Sequence, residues 1–261
     1  VSLSILSSVP RVRVDAVSRH GLLPLAHEDP WRPRHEAPAW DVETTTLRDV
    51  IDFARSFGDD WRRGLDSLRP ITNQLWQAMD EASRQSFVGR LSRFWDVHRH
   101  RMAPGVARAF TSLVRAGRVR IHASAVEAVR RDDHGLAVTL SDGTDLLVDR
   151  IVLCTGPGAT TQADVLSRRM VESGIAQAGP MGDGYLVEAV TGALIDANGR
   201  TRKRLVTVGP PRRGVLWETT AMPEIRVQAA EVARTISSLP LIPLDAAAAA
   251  SQKELHDLAL R

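Results

Sequence analysis

Residues 209–228 read GPPRRGVLWETTAMPEIRVQ. The apolar run 205–208 before them has the length and composition of a short buried strand, and it stops at Gly209-Pro210. Beyond the turn, Pro223 suits a first helical position, and Ile225, Ala229, Val232, Ala233 and Ile236 recur at helical spacing. Twenty residues thus predict a strand, a glycine turn and a helix start, the unit from which α/β sheets are built. The first turn of a helix presents unpaired N–H groups and a partial positive charge, which suits an anionic or electron-rich acceptor. A plain surface helix accounts for the same letters: Thr219 or Thr220 as cap, Trp217 as core, Glu218 and Glu224 complementing the helix dipole.

Working backwards, 151–154 (IVLC) is a second continuous apolar run, expected to be a buried central strand, and it halts at Thr155-Gly156-Pro157-Gly158. Ligands of open α/β sheets bind where strands end, and Gly156 and Gly209 lack the Cβ that would keep the chain away from a bulky group. Two tight turns with no ligand would look the same. Between the runs lie an expected helix at about 163–173 and loops built on Gly179-Pro180 and Gly182-Asp183-Gly184.

Upstream the period changes twice. Residues 1–9 read as a helix already in progress, so the chain is expected to be the C-terminal portion of a longer protein. Alternation of Val12, Val14 and Ala16 predicts a strand ending at Ser18-Arg19-His20-Gly21, followed by a proline-rich loop to about residue 41. From 44 to 117 the pattern is helical, with stripes at Leu47, Val50, Ile51 and Ala54, at Phe87, Leu91, Phe94 and Trp95, and at Val106, Phe110 and Leu113. From 118 to 150 it alternates, and turns at 132–135 and 141–143 predict an antiparallel meander that includes Val119 and Ile121.

Composition excludes several classes. The chain has 261 residues and a net charge of +3, from 34 basic and 31 acidic side chains spread along its length. All the basic residues but Lys203 and Lys253 are arginines, and they are not gathered with aromatics as a nucleic-acid surface requires. No apolar run reaches the roughly 18 residues of a membrane span. The single cysteine, Cys154, excludes an internal disulfide and reads as a small buried apolar residue in a cytoplasmic protein. His98 and His100 stand two apart, so on a helix they face different ways and do not chelate one ion; no metal site is expected.

The stretches SRHGLLPLAH (18–27), WDVHRHRMAP (95–104), VLCTGP (152–157) and 209–229 resemble, in this order, the bacterial FAD/NAD(P)-binding protein family, distantly similar to flavin-containing monooxygenases and ornithine or lysine N-hydroxylases. The resemblance implies an incomplete two-dinucleotide-binding (Rossmann-like) flavoprotein fold with a helical insertion and an antiparallel β-meander, both glycine-rich loops preceding Val1. Residues 1–20 would be a remnant of the NAD(P) domain, 21–117 the insertion on the substrate side, 118–150 the meander, 151–239 the C-terminal part of the FAD domain and 240–261 a tail. It further implies that Thr155 and Gly156 lie near FAD, and that Gly209 and Pro210 match a turn that usually carries an acid, here replaced by proline. The segment holding Trp217, Thr220, Pro223, Glu224 and Ile225 would point at the isoalloxazine, and Arg19 would read the phosphate of NADP. The implied activity is that of an FAD-dependent NAD(P)H oxidoreductase or monooxygenase acting on a small molecule. A non-catalytic sensor that keeps both nucleotide sites is the alternative.

Overall fold

The computed structural model describes residues 12–28, 36–154 and 164–240. It divides into two units, Val1–Gly156 and Pro157–Arg261. The expected helix at 1–9 and the tail beyond residue 240 lie outside the described residues.

In the first unit β1 (Val14–Ser18) pairs in parallel with β2 (Val119–Ala123), Val14 opposite Val119 and Ser18 opposite Ala123. Parallel neighbours cannot be joined by a tight turn, so the chain between them must cross over. That crossover is the helical stretch: α1 (Leu47–Ser56), α2 (Trp61–Leu68), α3 (Thr72–Ala78), α4 (Glu81–Ser86), α5 (Ser92–Arg99) and α6 (Pro104–Arg115). Its core is Val50, Leu68 and Leu75, covered by Trp40, Phe53, Ile71 and Trp95. The helix α1 starts on a capping box, in which the Thr46 hydroxyl takes the Asp49 N–H and Asp49 takes the Thr46 N–H.

Two expectations about side-chain direction in this stretch fail. Phe94 and Val106, placed in apolar stripes, are 45% and 42% exposed. A π-helical turn at Phe87–Leu91 separates α4 from α5. Each such turn adds a residue to the helical repeat, so the face that buries Phe87 no longer buries Phe94. The Arg93 guanidinium covers the Phe94 ring instead, 4.8 Å from its centroid.

The meander is smaller than expected. It holds β3 (Val126–Asp132), β4 (Gly135–Leu140) and β5 (Asp145–Val148) in antiparallel order, while Val119 and Ile121 belong to the separate parallel pair. At the link, Ser141 Oγ accepts the Ala125 N–H at 3.0 Å and lies 2.9 Å from Ser124 Oγ. These hydroxyls take up the polar groups that a hairpin ladder between β2 and β3 would have used.

The run 151–154 is not the buried strand expected. Val152 is 64% and Leu153 82% exposed, and Cys154 is exposed too. Among the described residues no strand pairs with it. An apolar run is buried only where neighbours cover both faces, and within this unit none does.

The second unit contains α7 (Val165–Glu172), capped by Asp164, a two-stranded antiparallel ribbon of β6 (Ala193–Ile195) and β7 (Thr201–Val206), and α8 (Met222–Ser237). Loops supply much of its core: Tyr185, Val187 and Ala176 pack with Leu194 against Met170, Val171 and Val215. Of the expected buried strand at 205–208, only 205–206 are strand, the end of β7, whose residues are mostly exposed, Leu205 by 40%. A two-stranded ribbon has few faces to cover. On α8, too, the expected stripe is open: Ala229 and Ala233 are exposed and Ile236 is 53% exposed, whereas the buried residue is Gln228.

At the ribbon's turn Asp196 is fully buried. Its Oδ1 accepts the N–H groups of Asn198 (2.9 Å) and Arg200 (3.0 Å), and its Oδ2 faces Arg202 Nε at 2.9 Å. The Arg200 N–H bond is the largest cause that holds the carboxyl below its ordinary value of 3.8. A depressed folded value means stability that is complete above the unfolded value and lost as pH falls through the folded one. Asp196→Asn is therefore expected to flatten the acid arm of a stability–pH curve below about pH 4. An unchanged acid arm would refute the assignment.

Candidate functional site

In the second unit the site is built around Gly209. Its φ of +74° and ψ of −144° suit glycine alone, and they let the chain turn sharply out of β7. The Gly209 N–H donates to Gln228 Oε1 at 2.8 Å, and the Gly209 carbonyl accepts Thr219 Oγ1–H at 2.7 Å. Gln228 Nε2 donates to Thr219 Oγ1 at 3.0 Å, which closes the ring. All three residues are buried, so strand end, turn and helix are tied at fixed spacing. Both backbone polar groups of Gly209 are consumed by this network. Its contribution to a ligand is one of shape, and Ile225 Cδ1 lies 3.6 Å from where a Cβ would stand.

Thr219, one of the two candidate caps, is thus turned inward and does not cap the helix. The N-cap is Ala221, whose side chain makes no capping hydrogen bond to α8. Thr220 and Met222 beside it are exposed, Met222 by 76%. Pro223, Glu224 and Ile225, in the first turn, are half-buried. The helix thus starts at an exposed position and is tied to Gly209 through Gln228.

Trp217 is buried, with the Arg213 guanidinium 4.6 Å from its ring centroid and Asp183 3.4 Å from Arg213. Pro210 is exposed and begins the short turn Pro210–Arg212. Sequence reasoning missed Gln228, which closes the ring, and Arg212. Arg212 lies just beyond Pro210. It is 1% exposed, and its Nη2 donates to the carbonyls of Ala189 and Val190. Burial holds the guanidinium below its ordinary value, against the opposing pull of Glu188. The only hint in the sequence was its place between Pro-Pro and a glycine.

In the first unit Arg19 is exposed in the turn that follows β1, at the C-terminal end of the parallel pair. Thr155 and Gly156 lie outside the described residues. Beneath β1, His122 Nε2 is 2.8 Å from Asp15 Oδ1 across the two strands.

The two motifs at 18–27 and 95–104 are stitched together. Ala26 and Met102 form a parallel bridge; Leu25 N donates to the Val97 carbonyl at 2.9 Å, Met102 N to Leu25 at 2.8 Å and His27 N to Met102 at 2.8 Å. Around the stitch, Arg62 donates from Nε (3.1 Å) and Nη2 (2.9 Å) to the Ala26 carbonyl while its guanidinium lies 4.2 Å from the Trp61 ring centroid. Arg101 grips Asp66 with both Nη atoms, at 3.0 and 2.8 Å, and donates from Nε to His98 O at 2.7 Å. His98 meets Trp61 edge-on at 4.8 Å, and its Nδ1 sits 2.7 Å from the Phe94 carbonyl. His98 therefore braces an aromatic corner. Among the described residues no three His, Cys, Asp or Glu side chains gather as a metal site would require. No helix among them is long and apolar enough to cross a membrane.

Residues 59–158 match a family model described as FAD-NAD(P)-binding. No curated protein matches the chain. Among solved structures, ornithine hydroxylase from Pseudomonas aeruginosa is similar, at 14% identity and a TM-score of 0.47, over 90% of this chain and 48% of that one. The chain thus spans about half the length of that relative.

Proposed function

We propose that the chain is the C-terminal portion of a cytoplasmic FAD-dependent NAD(P)H oxidoreductase of monooxygenase type, with FAD and NAD(P)H as cofactors and a small molecule as substrate, a reading that the match of residues 59–158 to an FAD-NAD(P)-binding family model supports. The observation that carries this reading is the start of α8: a helix whose N-cap residue, Ala221, supplies no side-chain hydrogen bond, flanked by exposed Thr220 and Met222. Uncapped N–H groups and a partial positive charge favour the electron-rich edge of a reduced isoalloxazine. Bound flavin would accept hydride from NAD(P)H and, once reduced, react with dioxygen.

The protein's own part is orientation. Thr220, Pro223, Glu224 and Ile225 would line the flavin edge, and the Gly209–Thr219–Gln228 ring would hold that edge at constant height against the helix. Gly209 and Pro210 would offer a backbone surface, since neither supplies a free donor. Trp217 would act behind the site as packing. Thr155 and Gly156 keep the place near FAD that the resemblance implies, and Arg19 that of a reader of the NADP phosphate.

The protein purified from its complete gene is expected to be yellow and to consume NADPH steadily. Ala221→Asp sharpens the test. An N-cap carboxylate stabilises the helix by about 1 kcal/mol while occupying its donors. It should therefore raise thermal stability and yet weaken FAD binding by roughly tenfold. A colourless protein that takes up no added FAD would end the proposal, as would an Ala221→Asp variant that binds FAD unchanged. A flavoprotein that binds both nucleotides without consuming NADPH would instead be the sensor.

A further inference from the structure

The stitched corner of the first unit holds a cation that, among the described residues, meets no carboxylate. Arg62 Nε and Nη2 both donate to the neutral carbonyl of Ala26, and the guanidinium lies over Trp61. The carboxylate one turn along α2, Asp66, is already gripped by both Nη atoms of Arg101, whose side chain is only 2% exposed. Two bonds to one carbonyl and a ring face fix the Arg62 fork in place, so little side-chain entropy remains to be lost when an acceptor arrives. Among the described residues Nη1 meets no acceptor, and Nη2 gives only one of its two protons to Ala26.

His27 follows Ala26, whose carbonyl Arg62 grips. Its backbone is pinned to the Met102 carbonyl and its side chain is exposed. Partial desolvation, then Arg101, with Arg62 and Arg99 adding to it, lower the imidazole below its ordinary 6.5, while Asp66 pulls the other way. The corner is therefore one of net positive potential. An exposed imidazole and a fixed, half-buried guanidinium share it, with His98 behind the Trp61 ring.

We propose that Trp61, Arg62 and His27 form a binding site for an oxyanion, the carboxylate or phosphate group of a small molecule. Arg62 would donate from Nη1 and Nη2, and His27 from its ring. Asp66 and Arg101 position the corner without contacting the anion. The inference draws on the first unit alone and is independent of the flavin reading.

The test is a histidine-detected NMR titration of the intact protein with inorganic phosphate and, separately, with acetate, His27 being assigned by its loss in His27→Gln. One or both anions should shift the His27 ring signals and raise its pKa, because a bound anion favours the imidazolium. By linkage, binding must then tighten as pH falls from 8 to 6. If phosphate alone acts, the source is a phosphorylated ligand; if acetate acts as well or better, a carboxylate ligand. Arg62→Met should weaken binding about tenfold or more, since it removes a charged donor, and Arg62→Lys should restore part of it. The unsubstituted protein carries the test even if Arg62→Met folds poorly. Absence of any His27 response to both anions, or a response unchanged in Arg62→Lys and Arg62→Met alike, would overturn the proposal.

Discussion

Gly184→Ala is expected to be among the most destabilising single changes in the second unit, at about 2–4 kcal/mol. A Cβ at this position would stand 2.5 Å from the carbonyl oxygens of both Arg213 and Pro211, and the backbone φ is +60°. Neither oxygen belongs to a side chain, so no rotamer change relieves the overlap. The Pro211 carbonyl also accepts the Tyr185 N–H at 2.8 Å, which ties the displaced segment to the buried Tyr185. Left-handed backbone in a residue with a Cβ costs about 1 kcal/mol or more, and forced shifts in packed structure about 1–3 kcal/mol further. Against a total stability of roughly 5–15 kcal/mol, the sum is a large share. Gly199 is the control: its φ is +74°, but nothing lies within 4 Å of an added Cβ. Gly199→Ala should cost only about 1 kcal/mol. Urea denaturation of the two variants decides the matter, and equal midpoints would refute the geometry.

Asp66→Ala should be nearly as damaging in the first unit. It strands the Arg101 guanidinium, whose side chain is 2% exposed, with the His98 carbonyl as its remaining fixed acceptor. Removing one partner of a buried pair costs about 3–5 kcal/mol, and the lower end applies because Asp66 itself is 31% exposed. Arg101→Met should cost less, for the carboxylate left behind reaches water and the methionine can still pack on Trp61. The double variant should be more stable than the two single losses added together. Strict additivity in the cycle would show that the pair is not coupled.

Legibility in the sequence followed physical kind. Helical stripes with one wet and one dry face are marked by spacing, and so α1 and α6 were readable from Val50 and Leu113. The π turn at Phe87–Leu91 has no such mark, and it cost the placement of Phe94. An apolar run states a demand for cover and not its fulfilment, which is why 151–154 and the end of β7 read as buried in the sequence yet stand exposed. At the candidate site, Gly209 and the start of α8 near Pro223 were legible from turn and cap chemistry. That Thr219 faces back to Gly209 was not, because Gln228 becomes its neighbour only when the helix has formed. The corner of His27, Arg62 and Arg101 draws on three distant segments. Nothing local announces it.

The pairing of β1 with β2 has a consequence for biosynthesis. Asp15 and His122, neighbours across that pair, are 107 residues apart in the chain. At the ribosome's pace of about 5–20 residues per second, β1 waits on the order of ten seconds for its partner. During that interval the crossover helices can assemble from local contacts, while the β1 edge that β2 will cover stays unpaired. A chaperone that shelters this edge until β2 has emerged would serve the nascent chain best.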